Sequence, residues 1–97
     1  MDKASNARKH SALSLAMAAQ IRAEMGAARM TVRTLAQKSG IPERTLSRLV
    51  SGERTIDVAQ LDMICKALTL PMIDLFMRAE ERLRREAEGE ERPARHA

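Results

Sequence analysis

Residues Thr31–Phe76 read TVRTLAQKSGIPERTLSRLVSGERTIDVAQLDMICKALTLPMIDLF, and this stretch decides the fold. Thr31–Ser39 is a short helix with Leu35 and Ala36 inward, stopped by Gly40. Ile41 follows as an apolar plug. Pro42 opens the next helix, because its fixed φ suits a first turn that needs no N–H donor. That helix runs to about Ser51, with Leu46 and Leu49 inward, and Gly52 ends it. Two helices that cross steeply over a tight turn need a small side chain at the crossing and a residue tolerant of positive φ between them. Ala36 and Gly40 meet both needs, so residues 31–51 form a tight helix-turn-helix.

The rest of the chain reads outward from this unit. Asp57 caps a fourth helix, and Gln60 completes a capping box. Val58, Leu61, Ile64, Cys65 and Leu68 form its buried stripe. Leu70-Pro71 breaks it, since the residue before proline avoids the helical region. The fifth helix starts near Pro71, buries some of Met72, Ile73, Leu75 and Phe76, and reaches Glu88. Upstream, Ser11–Ala28 is alanine-rich and repeats Leu13, Met17 and Ile21 at helical spacing, with Ser11 as N-cap and Gly26 marking fraying near its end. The fold class is all-α: five helices, the last of them extended. Residues 1–10 are a disordered basic arm, 11–88 the helical domain, and 89–97 a disordered tail.

The chain has 97 residues, enough for one packed domain. Phe76 is the sole aromatic residue, which argues against a base-stacking single-strand binder and against a β-rich fold. The single cysteine, Cys65, cannot form an internal disulfide, and neither a signal peptide nor a membrane span is evident, so the cytoplasm is the expected compartment. The net charge of +4 is modest, but it is unevenly spread: residues 29–54 alone carry +4. The N-terminal 28 residues contribute +2, residues 55–77 contribute −2, and residues 78–97 are balanced. A polyanion would therefore be met first by the helix-turn-helix segment and the arm.

Leu35-Ala36, Gly40-Ile41, Thr45-Leu46-Ser47-Arg48-Leu49, Gly52, Leu61, Ile64, Ala67-Leu68 and Leu75-Phe76 resemble the Cro/phage-repressor helix-turn-helix family, the XRE-type DNA-binding domain. The resemblance covers about half the chain without a gap. It implies a five-helix fold that reads double-stranded DNA, often as a homodimer, in transcriptional repression. Three positions depart from the family pattern. Val32 stands where a phosphate-binding Gln is usual, Val50 where an acidic residue is common, and Thr69 where Gly is usual.

By the same resemblance, the helix starting near Pro42 enters the major groove. Pro42, Glu43, Arg44, Ser47 and Arg48 are its base-contact candidates. Arginine forks onto guanine O6 and N7, glutamate accepts from cytosine N4 or orients Arg44, and proline can touch a thymine methyl. Arg33, Thr34, Thr45, Ser51, Arg54 and Thr55 are the phosphate-contact candidates. Thr45 and Thr55 also suit plain capping or turn roles, and Glu43 suits the dipole of a first turn without any DNA.

Other features read structurally. Cys65 is a small core residue rather than a reactive thiol. His10 and His96 lie in the tails. No catalytic constellation, cofactor motif or metal spacing is present, so the chain is not expected to be an enzyme or to need a cofactor. Glu81 with Arg84 and Arg85 supports the last helix through i, i+3 and i, i+4 pairs. Ile73, Met77, Ala79 and Leu83 mark a dimer interface along that helix, with the first helix as the rival surface. A second function class is an antitoxin-type module that neutralises a partner protein and autoregulates its operon. Toxin and polymerase are the protein partners considered.

Overall fold

Capping chemistry sets where the helices begin. The computed structural model describes residues 11–91, with side chains through Gly89; the expectations for residues 1–10, including His10, and for 92–97, including His96, lie outside them. Five helices follow in order: α1 Ala12–Ala27, α2 Val32–Ser39, α3 Glu43–Ser51, α4 Val58–Leu68 and α5 Met72–Glu91. Ser11 Oγ accepts from the Ser14 amide at 3.1 Å, and Thr31 Oγ1 accepts from the Thr34 amide at 3.1 Å. At α4 the capping box is complete: the Gln60 amide donates to Asp57 Oδ1 at 2.7 Å and the Asp57 amide donates to Gln60 Oε1 at 3.0 Å. Pro42 keeps an extended ψ of 139°, so α3 begins at Glu43, one residue later than expected.

Gly40 (φ 82°) and Gly52 (φ 87°) end α2 and α3 in the left-handed region, as the sequence predicts. A Cβ at Gly52 would also sit 3.2 Å from Leu15 Cδ2 of α1. Gly26 does not end α1: the helix passes through it, and the left-handed residue is Arg29 (φ 56°). The Met30 amide donates to the Met25 carbonyl at 2.8 Å and the Arg29 amide to the Gly26 carbonyl at 3.1 Å, which closes the helix end. Thr69 (φ 51°) plays the same part after α4, with the Leu70 amide on the Cys65 carbonyl at 3.0 Å. A β-branched residue in this conformation costs on the order of 1 kcal/mol relative to glycine. Thr69→Gly is therefore expected to stabilise the domain by about 1 kcal/mol, read as a thermal midpoint about 4–8 °C higher.

Each helix contributes to one core. Ile21 of α1, Leu35 of α2, Leu46 and Leu49 of α3, Ile64 of α4 and Leu75 of α5 are fully buried. Ala36 and Ile41 are buried at the α2–α3 crossing, where a larger residue than Ala36 would force the helices apart. α1 packs mainly along α5 and then on α3, while α2 sits between α3 and α4. Cys65 is buried, and both its burial and the Asp62 charge push the thiol up.

Three expectations need correction. Val58 is 74% exposed, because the cover on α4 does not reach its first turn; Leu61 and Leu68 are half-buried. Of the residues at the start of α5 expected to be buried in part, Met72, Leu75 and Phe76 are covered and Ile73 is 61% exposed: α5 turns Met72, Leu75, Phe76, Ala79 and Leu83 inward at helical spacing and leaves Ile73 and Met77 on the adjoining face. Ala79, expected in a dimer interface, is fully buried within the monomer. Finally, α5 runs past Glu88 through Gly89 to Glu91. One interior glycine costs about 1 kcal/mol, and the outer face carries Arg84 bonded to both Glu81 and Glu88 at 2.6 Å, with Arg85 3.6 Å from Glu81.

A polar clasp ties α1 to α5. Arg78 lies 2.7 Å from Glu24, Gln20 donates to Glu24 at 2.8 Å, and Arg82 donates to Gln20 Oε1 at 3.2 Å. Burial pushes the Glu24 carboxyl up, but hydrogen bonds from Arg78 and Gln20 and the Arg78 charge outweigh it and hold the group below its ordinary value. A carboxylate of this kind stabilises the fold above the ordinary carboxylate range and loses that contribution as pH falls through the lowered value. Glu24→Gln is expected to be less stable than wild type at pH 7, with the gap closing below about pH 4 in urea titrations. No described helix is long and apolar enough to cross a membrane.

Candidate nucleic-acid interface

The nine residues of α3 divide cleanly. Leu46, Leu49 and Val50 are buried, and Thr45 is half-buried at the inner edge. Glu43, Arg44, Ser47, Arg48 and Ser51 are exposed, within about 140° of helical arc. Pro42 is exposed at the entrance of the helix. The five base-contact candidates therefore share one solvent-facing surface, and Thr45 lies at its flank.

The phosphate-contact candidates bracket that surface. Arg33 is exposed in the first turn of α2, whose free amides lie at the positive end of the helix dipole. Thr34 is half-buried, and its hydroxyl lies 3.1 Å from that of Thr31, so it is already part of the cap. Ser51 Oγ donates to the Arg48 carbonyl at 3.1 Å and accepts from the Glu53 amide at 3.3 Å. The Arg54 amide also reaches the Arg48 carbonyl at 3.1 Å, which folds the loop after α3 back onto it and leaves the Arg54 side chain exposed. Thr55 is exposed next to it.

The cations of the described residues fall into two groups. Arg22, Lys66, Arg78, Arg82, Arg84 and Arg85 each have a hydrogen-bond or ion-pair partner within the chain. The side chains of Arg29, Arg33, Lys38, Arg44, Arg48 and Arg54 have none among the described residues. Every one of the second group lies in the segment that carries the +4 charge. The local field there is thus not cancelled by internal pairing.

Arg22 is a supporting position for α3 that sequence reasoning did not single out. Its Nη1 donates to the Val50 carbonyl at 2.6 Å, near the C-terminus of α3, where a cation also suits the helix dipole. This bond anchors the candidate recognition helix to α1. The acceptor is the main-chain carbonyl of Val50, so this bond needs no acidic side chain at position 50. No residue-type signal betrays it, because any residue at position 50 has a carbonyl.

Comparison with known proteins bears on this surface. The family model of the Cro/C1-type HTH DNA-binding domain matches residues 20–81. Two crystal structures of the clp gene regulator ClgR from Corynebacterium glutamicum are similar in fold. One superposes with a TM-score of 0.77 at 26% identity, covering 84% of this chain and 87% of that one. The other gives 0.67 at 28% identity, covering 71% and 90%. No curated protein matches the chain. With all five helices, the Gly40 turn and the exposed face of α3 inside or beside the matched region, the chain belongs to the Cro/C1-type helix-turn-helix DNA-binding family.

Proposed function

We propose that this chain is a sequence-specific transcriptional repressor that lays α3 in the major groove of duplex DNA. The observation that carries this reading is the cluster of cations without an internal partner on α2, α3 and their flanking turns, while the other cations among the described residues are each bonded internally. Arg44 and Arg48 read guanines through bidentate hydrogen bonds, Glu43 accepts from cytosine or orients Arg44, and Ser47 and Pro42 contact neighbouring base edges. Arg33 with the α2 amides holds the backbone on one side, and Ser51, Arg54 and Thr55 hold it on the other, with Thr34 and Thr45 at the margins.

The protein acts as a homodimer in the cytoplasm, presenting two α3 helices about one duplex turn apart on a two-fold-related operator. Ile73 and Met77 supply the exposed apolar surface for the pairing, and Leu83 and Leu13 line the groove beside Met77. Bound there, the dimer blocks access of polymerase. The similarity to a regulator of clp genes supports a role in transcription. Selection of bound fragments from a random duplex pool tests the proposal. A palindrome with half-sites about 10 base pairs apart, centre to centre, is the expected outcome. A pool that fails to converge would remove sequence-specific readout.

A further inference from the structure

We propose that Arg29, in the turn between α1 and α2, is an additional contact to the duplex backbone; this rests on the DNA-binding reading above. Arg29 occupies a left-handed conformation (φ 56°) that glycine adopts without steric cost. The hydrogen bonds of the turn come from main-chain amides, so they do not call for an arginine. Its side chain is exposed and has no partner among the described residues. Thr69, the other non-glycine residue in this conformation, differs: its hydroxyl donates to the Leu68 carbonyl at 2.6 Å. An arginine that strains the backbone and returns no internal contact is explained by a contact outside the chain.

Position identifies that contact. Arg29 lies three residues before Val32, at most about 11 Å along the chain from the first turn of α2. Arg33 stands on that turn, exposed and likewise unpaired. The Glu24 carboxylate in the preceding helix is already bonded to Arg78 and Gln20, which leaves Arg29 uncompensated. A phosphodiester next to the one received by Arg33 and the α2 amides supplies the missing anion. Such a contact adds affinity without regard to base sequence.

Arg29→Gly separates this role from a structural one, because the two move in opposite directions. The variant is expected to melt about 4 °C or more above wild type. At 50 mM salt it binds both a pool-selected duplex and a random duplex about tenfold more weakly, with their ratio unchanged. Loss of one phosphate contact lowers the slope of log affinity against log salt by about 0.9, so the deficit shrinks about threefold by 200 mM salt. Arg29→Lys keeps the wild-type slope. Wild-type affinity and slope in Arg29→Gly would overturn the proposal while leaving the DNA-binding reading intact, as would a changed ratio between the two duplexes. A wild-type protein that binds neither duplex removes both.

Discussion

Replacing Arg44 and Arg48 together by alanine is expected to abolish most of the preference for an operator over random duplex. A bidentate arginine–guanine contact is worth about 1–3 kcal/mol of discrimination, so losing two lowers the ratio of specific to random affinity by roughly 10²–10⁴. Binding to random duplex falls far less, because Arg33, Arg54 and the α2 amides are untouched. The fold pays little, since both side chains are exposed and neither has an internal partner. Thermal melts of the double variant should therefore overlay those of wild type. Titration of both duplexes at matched salt reads the effect, and an undiminished ratio would place base recognition elsewhere on the molecule.

The second large effect concerns the other side of the same helix. Leu49 is fully buried in the core. Leu49→Ala leaves a cavity and is expected to cost about 3–4 kcal/mol. A domain of this size has a total stability of about 4–12 kcal/mol, so this one change consumes a large part of it. Urea unfolding should show a lower midpoint with an unchanged slope. Val58→Ala is the control: an apolar residue 74% exposed on α4, expected to change stability by less than about 0.5 kcal/mol. A Leu49→Ala cost below about 1 kcal/mol would mean that the core relaxes around α3 rather than holding it.

The contrast between Leu49 and Val58 shows what the sequence can carry. The helix-turn-helix was legible because its determinants are local: Ala36 at the crossing, Gly40 at positive φ and Ile41 behind it lie within six residues. The reciprocal cap of Asp57 and Gln60 was legible for the same reason. Periodicity identifies an apolar face, but it does not say how far a neighbour extends over that face. Hence Val58 read as buried and is open, and Ala79 read as open and is closed in. Gly26 marked the neighbourhood of the α1 end but not the closing residue, because main-chain hydrogen bonds close the helix with Arg29, despite its side chain, in the left-handed position. For the site, the exposed face of α3 followed from alternation of apolar and polar residues. The sorting of cations into bonded and unbonded sets required knowing which carboxylates lie across from them.

The anchor from Arg22 to the Val50 carbonyl spans 28 positions of sequence yet involves only one side chain. A tether of that form imposes a one-sided constraint on sequence drift. Substitutions at position 50 are limited by the volume of a buried site and not by the need to match the arginine in charge. Pairwise covariation between positions 22 and 50 should accordingly be weak among close homologues that carry an apolar residue at 50, and Arg22 should tolerate exchange only for residues that can still reach a main-chain acceptor.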